Sequence, residues 1–393
     1  MIRKMINHQI LFTIIFLILC FFCGCINTST PPPESVPGPS IIEIEDIAAS
    51  GTNFTITDAI GREIEIPKNI TSMMCVGPGC LRYLSYLKKS GFAQTNNPEE
   101  RQESKSKWLP YLIINQDLKS LPSIQSPVYP GQIQALTPKP DLIILMNASG
   151  PFTPDDISKY TSVPVIVLKE GDLVDGREDM NYSLRVIGLL TGSSERAEEV
   201  IQFFDKLTDN LKSRVSTIPE FQVKNAYIGG YSEGNPGGIL SSSPNYIPFK
   251  LVNVDNSLRD SQKSDMKQSI QTITPGMIKG LNPAGIFIDL STTDNKISAI
   301  NEIEKISEFT DLKAVKDGSV YGLFPDSVYG KDHEIDIINA YMVGKTVYPD
   351  KFIDVDPKTI SEYVFTFLYG EPIFDDMNKK TGNLALTRIP VFT

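Results

Sequence analysis

Along most of this chain short apolar runs alternate with apolar residues set at helical spacing. Phe54 to Thr57 and Glu63 to Ile66 alternate in and out, joined by Asp58-Ala59-Ile60-Gly61-Arg62, which predicts a hairpin. Ser72 to Val76 is an apolar strand that stops at Gly77-Pro78-Gly79, after which Leu81, Leu84 and Leu87 take helical spacing. Gln132 to Leu136 predicts a short helix, Asp141 to Met146 a buried strand and Val163 to Leu168 another. From Asn181 to Ser216 apolar residues recur every three or four positions, with a break at Gly192 and a helix start at Ser193 or Ser194 followed by Glu195 and Glu198. Beyond Pro219 the strands resume at Val223 to Ile228, Phe249 to Val252, Ile286 to Asp289 and Val320 to Leu323. Helices are expected at Ser298 to Glu308, Glu334 to Val343 and Pro357 to Tyr369. Strand–helix repetition on both sides of one long helical stretch predicts an α/β protein of two lobes, with no internal repeat in the letters. The expected parts are an N-terminal lobe over 51–192, a connecting helix within 193–216, and a C-terminal lobe over 217–393 with closing helices. The tail after Gly370 carries no clear pattern.

The first 50 residues read differently. Arg3 and Lys4 precede an almost wholly apolar run from Ile10 to Cys23, the layout of a secretory leader over residues 1–24. Phe22-Cys23-Gly24-Cys25 resembles the lipobox of a prokaryotic lipoprotein, which would place lipid on Cys25; an uncut N-terminal helix is the alternative. Either places the body outside the cell membrane. Residues 25–50 are a Pro/Ser/Thr tract that cannot bury a core and read as a tether. No later run approaches the roughly 20 apolar residues of a spanning helix.

With 393 residues the chain has room for two lobes with separate cores. Its formal charge of -10 gives no attraction for a phosphate backbone, so no nucleic-acid partner is expected. Of two histidines only His333 lies in the body, which removes chemistry that needs paired imidazoles. Of five cysteines only Cys75 and Cys80 lie in the body, too few for a disulfide scaffold. They read as two buried thiols, with a bridge across the strand-to-helix turn as the alternative. No protein-built metal site and no intrinsic cofactor are expected.

Five phrases in order carry a family resemblance: TITDAIGREIEIP (Thr55 to Pro67), GPGCLR (Gly77 to Arg82), IQALTPKPDLII (Ile133 to Ile144), LKAVKDGSVY (Leu312 to Tyr321), and NAYMVGKTVYP with DVDP (Asn339 to Pro349, Asp354 to Pro357). Together they resemble the substrate-binding proteins of ABC importers for iron–siderophore, haem and corrinoid complexes, in an archaeal lipoprotein branch, over about residues 52 to 375. The resemblance implies two α/β lobes on either side of one rigid backbone helix (the class III periplasmic-binding-protein architecture). It also implies limited hinge motion, a metal-chelate ligand, an ABC permease with its ATPase as partner, and a monomer.

A cleft for a large chelate needs apolar or aromatic walls and a few polar anchors on strand-end loops. The candidates are Gly77, Pro78 and Gly79 as backbone lining and Arg82 as an anchor for an anionic group. Trp108 and Tyr129 are the candidate walls from the first lobe, and Tyr231, Tyr329 and Lys331 the contacts from the second. His333 reads as a surface histidine at a helix start. The resemblance implies docking to the permease through a carboxylate on each lobe; Asp155 and Asp156 are the first-lobe candidates, and otherwise they serve as helix-start acids after Pro154. Asn53, Asn69, Asn147 and Asn181 open Asn-x-Ser/Thr triplets. Two other functions compete. A surface hydrolase would need a nucleophile–base pair or opposed carboxylates, and the chain has no G-x-S-x-G elbow. A sensor or adhesion protein would use the same cleft without a transporter.

Overall fold

The computed structural model describes residues 51–146, 150–232, 237–258, 270–292 and 299–391. The leader, the tether, Cys25 and Asn147 lie outside the described residues. The hairpin forms from β1 (Asn53–Thr57) and β2 (Glu63–Pro67), antiparallel with Thr55 opposite Glu65. Asp58 organises its turn: one carboxylate oxygen accepts from the Ile60 and Arg62 amides, and the other from the Val167 amide at 3.1 Å, which sews the turn to the first sheet.

That sheet is parallel, in the order β3 (Met73–Val76), β4 (Leu142–Met146), β5 (Val165–Leu168). All three strands are buried at every position, as the unbroken Val/Ile/Leu/Met runs require when helices cover both faces. Helix α1 (Cys80–Tyr86) follows β3, α2 (Pro130–Gln134) precedes β4, and α3 (Pro154–Thr161) joins β4 to β5. Cys75 and Cys80 are joined by a disulfide, with Cα atoms 5.7 Å apart. The expectation of two thiols is therefore corrected: the turn brings the last residues of β3 back against the first residue of α1.

Two helices follow, α4 (Arg177–Leu190) and α5 (Ser194–Val215). The break falls at Gly192, whose φ of +64° suits glycine. Ser193 precedes α5 without capping it, because its hydroxyl is engaged with Thr191 Oγ1 at 2.7 Å. The 22 residues of α5 span about 33 Å at 1.5 Å per residue. One stripe, Ala197, Val200, Ile201, Phe204, Leu207 and Leu211, is buried. Arg196 fastens α5 to its neighbours by donating to the carbonyls of Tyr86 at 3.1 Å and Phe367 at 2.6 Å.

The second sheet is parallel in the order β11 (Val320–Leu323), β10 (Gly285–Asp289), β6 (Asn225–Gly229), β8 (Asp255–Asn256). A small antiparallel pair, β7 (Ser241–Ser242) with β9 (Gln271–Thr272), lies beside it. Helices α6 (His333–Val347) and α7 (Pro357–Tyr369) close the chain against α5 and α1. The two lobes, each with its own parallel sheet and linked by a long helix, are the α/β architecture the sequence predicted. Two expectations fail. Phe249 to Val252 is not a strand: residues Ile247–Leu251 are a helical turn entered through Pro248. The expected helix over Ser298 to Glu308 is interrupted, forming Ala299–Ile303 and Ser307–Thr310. The tail is ordered through its described length, and Ala385 and Arg388 pair with Gly322 and Tyr321 at the edge of β11.

Candidate functional site

The carboxyl ends of both parallel sheets carry loops that meet at one seam. From the first lobe come Gly77-Pro78-Gly79, Arg82 and the residues after β5; from the second comes the loop after β11. Gly77 is glycine for a steric reason. Its φ is +87°, and a Cβ there would sit 2.2 Å from the Met146 carbonyl oxygen. Its amide donates to Asn97 Oδ1 at 2.9 Å, which fixes the turn.

Arg82 is fully buried at the centre of the seam. Its guanidinium donates to Glu170 Oε1 at 2.8 Å and to the Tyr329 carbonyl at 3.3 Å, forms a short ion pair with Asp332, and lies over the Tyr111 ring at 5.3 Å. Burial opposes its charge, but Asp332 and Glu170 prevail and hold it firmly protonated. Burial also pushes Glu170 and Asp332 upward against the pull of Arg82. Glu334, the second residue of α6, accepts from the Tyr86 and Tyr369 hydroxyls. His333 is the second correction: it is fully buried, with Nε2 3.0 Å from the Tyr83 hydroxyl, and burial holds it neutral. A histidine at a helix start faces inward here because α6 begins at the seam.

A cavity of about 360 Å³ opens beside this network, walled by Glu99 and Lys105 from the first lobe and Ser327, Val328, Tyr329, Gly330 and Lys331 from the second. Its volume lies within the range of roughly 300–1,000 Å³ typical of ligand pockets. At the end of β10, burial pushes Asp289 up to about 8, helped by the charge of Asp326 and opposed by Ser291. Burial also pushes Asp326 up to about 6, with Lys331, Tyr246 and Asn339 pulling the other way.

The sequence candidates divide into three groups. Gly77, Pro78, Gly79, Arg82, Tyr329 and Lys331 converge on the seam, although Arg82 is spent on protein carboxylates and presents no free donor fork. Tyr129 stands 49% exposed at the start of α2, edge-on to Phe152, which is edge-on in turn to Tyr160. Trp108 and Tyr231 are core residues. Trp108 is 1% exposed, with the Lys107 ammonium 4.6 Å from its ring centre. Tyr231 is 3% exposed, packs edge-on to Tyr246, and is bound to Ser241 through its backbone. Burial leaves neither ring a face for a ligand in this conformation.

Asp155 and Asp156 differ. Asp156 accepts from the Thr153 amide and hydroxyl and closes the N-terminus of α3, whereas Asp155 is 74% exposed and reaches Arg62. Glu99, Lys105, Glu170 and Asp332 were not singled out from the sequence. Only Asp332 had a signal, its position beside Lys331; the others sit in polar runs without a motif. Among the described residues no group of three or more His, Cys, Asp and Glu is placed to hold a metal, and no helix is long and apolar enough to cross a membrane.

The family model described as periplasmic binding protein matches residues 118–326. Solved structures share the fold over nearly their whole length. The periplasmic solute binding protein from Veillonella parvula DSM 2008 superposes with a TM-score of 0.66 at 18% identity, covering 85% of this chain and 100% of that one. The ABC transporter solute binding protein from Sulfurospirillum deleyianum DSM 6946 gives 0.63 at 18% identity, with 84% and 99% covered. The molybdate periplasmic binding protein of a Haemophilus influenzae ABC transporter gives 0.62 at 15% identity, with 81% and 98% covered. A comparison with curated proteins found no match. Two parallel-sheet lobes about a long helix, with strand-end loops meeting over a cavity, define a class III solute-binding architecture. The chain belongs to the periplasmic binding protein family, whose members bind solutes and do not catalyse.

Proposed function

We propose that this protein is an extracytoplasmic lipoprotein, anchored through Cys25, that captures a metal–organic complex between its lobes and hands it to an ABC permease with its ATPase. The observation that carries the reading is the cavity bounded by Glu99 and Lys105 on one lobe and by Tyr329, Gly330 and Lys331 on the other. A ligand seated there touches both lobes at once, so binding reports directly on their relative position. Ferric siderophore, corrinoid and haem complexes are the proposed ligands, taken whole by shape and a few polar contacts, because the body offers one histidine and two disulfide-bonded cysteines, too few soft ligands for a bare metal. Gly77 to Gly79, Tyr329 and Lys331 line the approach. Tyr129, with Phe152 and Tyr160, forms an exposed aromatic row that offers ring faces at the first-lobe rim. Asp155, exposed on α3, is the proposed first-lobe contact for the permease, while Asp156 serves its own helix.

The test is to purify the full chain in detergent and record its visible spectrum and native mass. It is then titrated with a ferric trihydroxamate, cobalamin, haem and molybdate while the fluorescence of Trp108, three residues past Lys105, is followed. Saturable quenching by one of the first three is expected. Saturation by molybdate alone would redirect the reading to an oxyanion, and no saturation by any probe would overturn it.

A further inference from the structure

Glu170 lies just beyond β5 and is 4% exposed. Its Oε1 accepts from Arg82 Nη1 at 2.8 Å and from the backbone amide of Lys331 at 2.9 Å. The second contact crosses the seam: a first-lobe carboxylate holds a second-lobe peptide group. Arg82 completes a second grip on the same segment by donating to the Tyr329 carbonyl at 3.3 Å. Between these two points stands Gly330, at φ +76°, where a Cβ would lie 2.3 Å from Glu170 Oε1 and 2.4 Å from Pro78 Cβ. The segment so held, Tyr329 to Lys331, is one wall of the cavity.

The two grips are made to backbone groups, one acceptor and one donor, on either side of a residue with no side chain. Contacts of that kind do not depend on which side chains Tyr329 and Lys331 present; they fix where the chain runs. Both have an ionised partner, a carboxylate acceptor at 2.9 Å and a guanidinium donor at 3.3 Å, and the carboxylate contact is the tighter of the two. They are partly buried at the edge of the cavity, where the lower local dielectric strengthens them relative to open water.

We propose that Glu170 is the positioning residue of the binding cleft: with Arg82 as its support, it clips the Tyr329–Lys331 segment to the first lobe and presets the second-lobe wall before ligand arrives. The proposal rests on the reading of the cavity as the ligand site. A preset wall spares the ligand the entropic cost of ordering that segment. Asp332, on the other side of Arg82, keeps the guanidinium turned toward the seam, so removing Glu170 leaves Arg82 paired and the fold with a buried charge still satisfied.

Amide hydrogen exchange on the unliganded full chain tests this without any ligand, so its failure is separate from a failure of the probes to bind. In Glu170→Ala, peptides covering 327–332 are expected to exchange at least about tenfold faster, while peptides covering β10 and α5 keep their wild-type rates. Glu170→Gln keeps an oxygen for the Lys331 amide but loses the charge facing Arg82, and is expected to fall between the two. If Glu170→Ala fails to fold, Glu170→Gln is judged by the same local comparison. Unchanged exchange over 327–332, or a rise of equal size throughout the protein, would overturn the proposal, the latter by showing that Glu170 supports the fold and not this wall.

Discussion

Asp289 ends β10 with its carboxylate accepting from the Ser291 amide at 2.8 Å, buried beside Asp326. Burial and that neighbouring charge push it up to about 8, against about 4 for an unfolded aspartate. The folded chain therefore keeps a proton that the unfolded chain has already released, and the sign follows: stability falls as pH rises from about 4 through about 8. Asp289→Asn removes the charge and keeps the shape. Its melting temperature should exceed that of the wild type by about 4 °C or more at pH 8.5, taking roughly 2–4 °C per kcal/mol, with the gap closing at pH 4. Calorimetry at the two pH values checks it, and a gap of equal size at both would show that charge is not the cause. Residues of this kind were hard to read from the sequence. Asp289 is visible only as the last letter of an apolar strand, and Glu170 meets Lys331 161 positions further on. The glycines of the seam were legible because a turn after a strand has a local signature, whereas the burial of Trp108 and His333 depends on what packs over them.

Among the elements, the ones that repeat a period over several turns were legible. The pattern from Pro357 to Tyr369 is a helix over those residues, and the long apolar stripe after Gly192 is α5. The failures are short. Phe249 to Val252 has too few residues to show a period of two or of 3.6, and its helical state comes from Pro248 at the start and from packing against α6. The reading of Cys75 and Cys80 as two thiols failed because closure depends on how tightly the Gly77-Pro78-Gly79 turn folds back, which the spacing alone does not show. That bridge now ties the end of β3 to the start of α1 across a sequence separation of 5. Loop-closure entropy for so short a ring is about 2 kcal/mol. The Cys75→Ser, Cys80→Ser double variant should lose about that much in urea unfolding, with an unchanged m-value. A loss near zero would mean that the turn is held without the bridge, by contacts such as that of the Gly77 amide with Asn97 Oδ1.

For the whole molecule the decisive question is how tightly the lobes meet, and Gly330 isolates it. Glycine there is required twice over, by a φ of +76° and by the approach of Glu170 and Pro78 from the other lobe. An alanine would carry a left-handed backbone penalty of about 1–2 kcal/mol at either of two positions, Gly330 or Gly61. Gly61 has a φ of +82° and nothing within 4 Å of a would-be Cβ, so Gly61→Ala pays the backbone penalty alone. Gly330→Ala must in addition move a carboxylate or a proline ring, and neither can yield without parting the seam, because Glu170 is tied to Arg82 and Pro78 is set between two glycines of fixed turn geometry. The expected outcome is a lower melting temperature in both variants, larger in Gly330→Ala. Only Gly330→Ala should show an increased radius of gyration by small-angle X-ray scattering and faster amide exchange over 327–332. Equal behaviour of the two variants would mean that the lobes part freely at this point, and the cavity wall would then be set by ligand alone and not by the contact between the lobes.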